Sequence, residues 1–384
     1  MPSRRPVPLS VLDLAPLASG STPAQALHRT VDLARHAERL GYARYWIAEH
    51  HLTPSVVAAA PVVLMGAVAA ATRRIRVGSG AVQTGPRRPV VIAEEFGTLA
   101  HLYPGRVDLG LGRSNVDRFI GRIAGGGAGR PVPAEAVGGG TGGADRVVDG
   151  LLVPSKPKLR FDPDRVRTQL ELVGYRDGAG EDYAQQIRDI QAFVRGDYRT
   201  PGGEHLRTPA AEGADAELWV VAAGAKGSAP VAGELGLPLT VNYHSMPAAV
   251  LDAVAAYREA FRPSELLSAP HVMVSADVLV AEDAAAARRI ARGYAQWAWS
   301  IRRGEGSVPY LSPDEADAFP WSAQDEEMVA DRLATRFVGD PKAVVHGLGM
   351  LAKVTGADEI LVTATAHDHA DRVRSYELLA NSWN

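Results

Sequence analysis

No cysteine occurs in the 384 residues. That removes disulfides, thiolate catalysis, iron–sulfur clusters and Cys-ligated zinc together. A surplus of either charge is also missing: Lys+Arg 41 against Asp+Glu 44 leaves a formal net charge of −3, so nothing points to nucleic acid or an anionic lipid surface as a partner. The opening MPSRRPVPLSVLDLAP lacks the apolar core and small-residue cleavage site of a signal peptide, and the cytoplasm is the expected location. One uncharged run, Leu52–Thr72, has the length of a membrane span. It holds Pro54 and Pro61, is dominated by Ala and Val, and lies between two strand-like runs, so a buried connecting helix is expected there and no membrane span.

What is present, 46% apolar and 22% charged residues, is ordinary globular usage. Length alone suggests two or three domains, but α/β barrels run longer as single units. Strand-like runs occur at Val7–Leu14, Ala43–Ala48, Ile75–Val82, Arg106–Leu111, Leu218–Ala222, Leu237–Asn242, His271–Val280 and Glu359–Thr365. Helical patterns separate them. The first has Thr22 as its cap, Pro23 at its first position, Gln25 three residues after the cap and Gly41 at its end, with an apolar stripe of Leu27, Val31, Ala34, Ala37 and Leu40. Further helices are expected at 58–71, 89–102, 182–194, 229–235, 247–261, 283–303 and from Pro341. Eight strands, each followed by a helix, are the number that closes a (β/α)8 TIM barrel. An open doubly wound sheet is the alternative, but no G-x-G-x-x-G follows the first strand. The expected organisation is therefore one unit, 1–384, with a Gly-rich insertion at 115–165 after strand four and a second insertion at 301–328 after strand seven, a plausible lid. Residues 121–150 hold eleven glycines and no periodic pattern, which predicts mobility there, since each glycine raises the entropy cost of ordering.

In such a barrel chemistry belongs at the C-terminal ends of the strands. The second strand ends Glu49-His50-His51, either a polar cluster with an imidazole for proton transfer or a surface loop with coincidental histidines. A His pair alone does not make a zinc site, and no metal is expected. The third ends Ser79-Gly80-Ala81-Val82, small residues that either let a flat ligand lie against the backbone or simply pack tightly. The fourth ends Gly110-Leu111-Gly112-Arg113-Ser114, where the Arg suits a phosphate or else caps the rim. After the fifth comes Ala223-Gly224-Ala225-Lys226-Gly227-Ser228, an anion cradle at a helix start or a plain turn. Walker and serine-hydrolase elbow patterns are absent. Two phosphate-friendly features on adjacent strands suggest one phosphorylated cofactor.

Val7–Pro16, RYWIAEHH (Arg44–His51), RIRVGSGAV (Arg74–Val82), PVVIAEEFGTLAHLYPGRVDLGLGR (Pro89–Arg113), GLPLTV (Gly236–Val241) and VGDPKAV (Val338–Val344) together resemble the bacterial luciferase-like flavin monooxygenases. The match covers most of the chain outside 115–217 and 301–328. The resemblance implies a (β/α)8 barrel that binds reduced FMN (FMNH2) at its C-terminal mouth and uses O2, through a flavin hydroperoxide, to oxygenate an organic substrate. It implies His50 as the catalytic histidine with Glu49 and His51 beside it. Gly80-Ala81 matches a non-proline cis peptide under the flavin ring, with Ser79 alongside, and Arg113 and Ser228 match phosphate-binding positions, with Gly224, Ala225 and Gly227 in the same turn.

Two departures stand out. Ala223-Gly224-Ala225 replaces a turn that often carries Gly-Ser-Ser, and Gln83–Arg88 (QTGPRR) replaces a more apolar segment, so that Arg87 and Arg88 could serve an acidic substrate or a further phosphate contact. No NAD(P)H fingerprint is visible, so a separate NAD(P)H-dependent flavin reductase is the expected partner. The charge-free helix 58–71 suggests a homodimer. The rivals are a deazaflavin-dependent hydride-transfer enzyme on the same barrel and a flavin-binding partner subunit without catalysis of its own.

Overall fold

The computed structural model describes residues 6–113, 144–155, 163–175, 182–303 and 306–383. Ser114 and residues 121–143 of the Gly-rich tract, with the mobility expected of it, lie outside the described residues.

Eight parallel strands close on themselves: β1 (Leu9–Asp13), β2 (Arg44–Ile47), β3 (Arg76–Ser79), β4 (Val107–Gly112), β5 (Ala216–Ala222), β6 (Leu239–Asn242), β7 (Val272–Val280) and β8 (Glu359–Thr363). Closure is visible at β1, where Val11 sits beside Tyr45 of β2 and Val362 of β8, and at β7, where Val274 lies between Val241 of β6 and Ile360 of β8. The eight strands and the barrel expected from the alternation are thus observed. A two-residue strand, Val82–Gln83, pairs with the end of β4, and Phe337–Gly339 pairs with the end of β7.

The outer layer consists of α1 (Pro23–Arg39), α2 (Pro61–Ala71), α3 (Pro89–Leu102), α4 (Tyr183–Arg195), α5 (Ser228–Glu234), α6 (Val250–Ala260), α7 (Pro341–Thr355) and α8 (His369–Trp383). Local signals start several of them. Thr22 and Gln25 form a capping box on α1, with Gln25 N–H donating to Thr22 Oγ1 at 3.3 Å, and Asp340 accepts from Ala343 N–H at 2.9 Å ahead of α7.

The face of α1 differs from the expected stripe. Ala26, Thr30, Leu33, Ala34 and Ala37 are buried and Leu27 is exposed, because small residues let the helix axis approach the barrel. The expected helix 283–303 is two, Ala284–Ile290 and Gly293–Arg302. The chain doubles back so closely that a Cβ at Gly293 would stand 2.3 Å from Leu311 O. The end of the Gly-rich insertion forms a hairpin, Arg146–Val148 with Leu151–Val153, around Asp149-Gly150, both at positive φ. That is the turn chemistry of a two-residue hairpin, which the absence of longer periodicity concealed. Pro163–Val173 adds a helix, and the second insertion supplies the helices Pro313–Asp317 and Ala323–Ala334.

The barrel interior is apolar at mid-height, where Trp46 and Trp219 meet edge to face at 5.3 Å, and ionic at the N-terminal ends of the strands. There Arg44 reaches Asp108 at 2.9 Å, Glu217 at 2.8 Å and Glu359 at 3.2 Å. Arg76 reaches Asp108 at 2.7 Å, and the Trp46 indole N–H donates to Asp108 at 2.8 Å. This plug leaves the C-terminal mouth as the open end. Among the described residues no helix is long and apolar enough to cross a membrane.

Candidate functional site

A cavity of about 400 Å³ opens at the C-terminal mouth. Its floor includes Leu12, Ala48 and Gly80 from the first three strands, and its walls include His50, His51, Asn242 and His244. The peptide Gly80–Ala81 is cis. Roofing comes from the insertions. Val166 and Gln169 stand on the helix Pro163–Val173, and Trp297, Ile301 and Ser307 belong to the segment after β7. The Trp297 indole N–H donates to Ser55 Oγ at 3.0 Å and Ser307 hydrogen-bonds the same hydroxyl, so the second insertion and the helix before it are fastened to the loop that follows β2.

The three residues ending β2 have different surroundings. His50 is exposed to the cavity, its backbone N–H is fixed to Ala58 O at 2.9 Å, and its ring makes no hydrogen bond to any described residue. The surrounding protein lowers its proton affinity, and the neighbouring His51 adds to the shift. His51 also lines the cavity, with Nε2 2.7 Å from Glu49 Oε1. Glu49 is buried behind them. Its carboxylate accepts from Gln83 N–H at 2.9 Å and pairs with Arg87 at 3.1 Å, and it is not a wall of the cavity. Glu49 therefore positions His51 and the β3–α3 segment. Arg87 is committed to Glu49 and Glu95 (3.3 Å) rather than to the cavity. Arg88 is exposed at the start of α3.

Ser79 is buried and its hydroxyl is spent within the sheet, donating to Gly110 O at 3.0 Å and accepting from Gly110 N–H at 3.1 Å. Arg113 and the Gly224–Ser228 turn do come together, because β4 and β5 are sheet neighbours with Gly112 beside Val221. The Arg113 guanidinium lies so close to Gly227 that a Cβ there would be 2.3 Å from Nη1. Gly227 has φ +97°, which favours glycine, and Ser228 begins α5 directly after it. A guanidinium against a turn that opens a helix is a fitting cradle for a phosphate monoester. Among the described residues no group of three or more His, Asp or Glu could hold a metal.

The chain folds more groups into the mouth than the motifs singled out. His244, Asn242, Asp277, Arg332 and Thr363 all line the cavity. His244 Nδ1 lies 2.5 Å from Ser275 Oγ. Burial, with Arg332 and His50 nearby, depresses its pKa to about 3. Position at a strand end was the available signal for Asn242 and His244, whereas Asp277 lies inside β7. Arg332, on an insertion helix, had none.

The family model described as luciferase-like monooxygenase matches residues 7–126 and 182–359. A luciferase-like monooxygenase of Escherichia coli (strain K12) is 33% identical over 373 residues, covering 97% of this chain and 96% of the relative. Among solved structures, apo-MsnO8 superposes with a TM-score of 0.74 at 30% identity, covering 98% of both chains. Two others share the fold at lower identity. One is the oxygenating constituent of 3,6-diketocamphane monooxygenase from Pseudomonas putida in complex with FMN (TM-score 0.61, 17% identity, 98% and 97% covered). The other is an F420-dependent secondary alcohol dehydrogenase with an F420–acetone adduct (TM-score 0.62, 15% identity, 99% of both covered).

Proposed function

The chain belongs to the luciferase-like monooxygenase family, and on that footing we propose that it is an FMN-dependent member, using reduced FMN and O2 to oxygenate a small organic substrate. The observation that carries this reading is Arg113 folded against the Gly224–Ser228 turn at the C-terminal ends of β4 and β5.

Bound there, reduced FMN would supply the oxygen chemistry, and the chain's task is to bind, orient and exclude water. Arg113 and the backbone N–H groups around Ser228 would hold the phosphate. Gly80 and Ala81 leave the backbone open to a flat ring. His50 is the group we assign to holding or moving a proton at the reacting edge, since its neutral ring faces the cavity unengaged. Trp297, Ile301 and Ser307 would keep water from the cavity. A single unit spanning 1–384, a cytoplasmic location, a separate NAD(P)H-dependent flavin reductase as source of reductant and a homodimer complete the proposal.

A second reading, deazaflavin-dependent hydride transfer, is kept because the F420-dependent dehydrogenase shares the fold. Anaerobic titration with FMNH2 and with reduced deazaflavin separates the two. We expect tight FMNH2 binding, O2 uptake that depends on an added flavin reductase, and a loss of about 1.5–3 kcal/mol in FMN affinity for Arg113→Ala. Binding and anaerobic turnover with reduced deazaflavin alone would replace the FMN reading. FMNH2 binding with no oxygenation of any substrate tried would favour a non-catalytic flavin-binding subunit.

A further inference from the structure

We propose that Arg332, with His244 near it, forms a substrate subsite for a singly charged anion, so that the compound oxygenated is a carboxylic acid with an apolar body. As a statement about substrate, this rests on the oxygenase reading above.

Cations outnumber anions at this wall of the cavity. Three arginines, Arg302, Arg332 and Arg336, stand there with two carboxylates, Asp277 and Asp331. Arg302 donates to Asp331 at 2.7 Å and Arg336 donates to Asp277 at 2.7 Å. Those two pairs are complete. Arg332 has no carboxylate within ion-pair distance among the described residues and is held only by neutral oxygens. Nε and Nη2 donate to the Tyr294 hydroxyl at 3.1 and 2.8 Å, and Nη1 donates to Ser245 O at 3.3 Å. A guanidinium carries five N–H groups, so two remain for a ligand.

The accessible part of Arg332 lines the mouth cavity. Asp277 and Asp331 are near enough to favour its charge, but each is hydrogen-bonded to another arginine. A guanidinium in the wall with no carboxylate bonded to it favours a single anionic group, and its planar fork matches a carboxylate. His244 adds no second positive charge near neutral pH, because burial depresses its pKa to about 3. Leu12, Leu14, Val56 and Ile301 form an apolar remainder of the same cavity, which fits a hydrocarbon or aryl body rather than a second charge.

The test uses the purified full chain with and without FMN, titrated calorimetrically with 4-phenylbutanoate and with 4-phenylbutanamide, a neutral analogue of nearly the same shape. The acid should bind at least about tenfold more tightly than the amide. Arg332→Gln should abolish that preference and leave FMN affinity unchanged. Arg332→Met, which keeps the aliphatic stem and drops the charge, should abolish the preference too, and it stands as the test if Arg332→Gln does not fold. Equal binding of acid and amide, no measurable binding of the acid at millimolar concentration, a preference that survives Arg332→Gln, or FMN affinity lost in that variant would each overturn the proposal. Acid preference without any FMN binding would remove the flavin reading and leave the anion subsite standing. FMN binding without acid preference would do the reverse.

Discussion

At the scale of single residues the mouth separates groups that face the cavity from groups that hold them. His50 faces it with no hydrogen bond to a described residue, so His50→Ala orphans no buried partner. We expect a near-normal melting temperature and FMN binding, oxygenation reduced at least about 100-fold, and more hydrogen peroxide released per flavin oxidised. Oxygenation near the parent rate would transfer the role to His51. Glu49 belongs to the other class, a buried carboxylate whose oxygens are taken by Gln83, His51 and Arg87.

His244 and His50 also make a prediction about pH. Burial depresses the His244 imidazole to about 3, and the surrounding protein lowers His50 as well, whereas an unfolded imidazole titrates near 6.5. Between those values the unfolded chain binds protons that the folded chain refuses. Stability therefore falls as pH drops below about 6.5 and is unaffected by these groups above it. His244 contributes at most about 1.4 kcal/mol per pH unit, and the exposed His50 less, because solvent screens it. Urea unfolding at pH 7.5 and 5.0 should show the loss, and His244→Gln should shrink it. An identical loss in that variant would assign the effect elsewhere.

At the scale of elements, the strands are tied together at the end opposite the mouth. Arg44 of β2 bridges Asp108 of β4, Glu217 of β5 and Glu359 of β8, and Asp108 and Glu359 are buried. Burial raises the proton affinity of Asp108 in spite of Arg44 and Arg76, a sign that its charge is held at a cost. Removing Arg44 leaves the buried Glu359 without a cation, while Asp108 and Glu217 keep Arg76, so Arg44→Met should cost about 3 kcal/mol in urea unfolding while FMN affinity changes little. A near-neutral effect would mean that water reaches the plug. Nothing local announces this network, since each member stands alone in an otherwise apolar strand.

For the whole molecule, α2 and α3 present an apolar face. Val63 is 76% exposed, with Ala67 and Ala70 on the same side of α2, and Leu102 of α3 is 67% exposed. The two helices touch where Gly66 faces Leu99. A second copy of the chain is the simplest cover for that surface. We expect a dimer in sedimentation at micromolar concentration and a shift toward monomer for Val63→Glu. A monomeric parent protein would leave the patch for another partner.

What the sequence by itself determined is what local physics controls. Apolar periodicity, Pro and capping residues marked the eight strands and most of the helices, because those signals act over a few residues. The number of strands implied closure, and the residues after each strand implied which ones meet at the mouth. Even so, the inward face of α1, the break before Gly293 and the hairpin at Asp149-Gly150 followed from packing and turn geometry rather than from periodicity. Only the tertiary structure decided which polar side chains reach the cavity and which are consumed behind it. Ser79 closed on Gly110, Arg87 closed on Glu49 and Glu95, and Arg332 arrived from a helix some 280 residues after His50. A side chain's partners are set by distances between segments far apart in the chain, and no short window of sequence carries those distances.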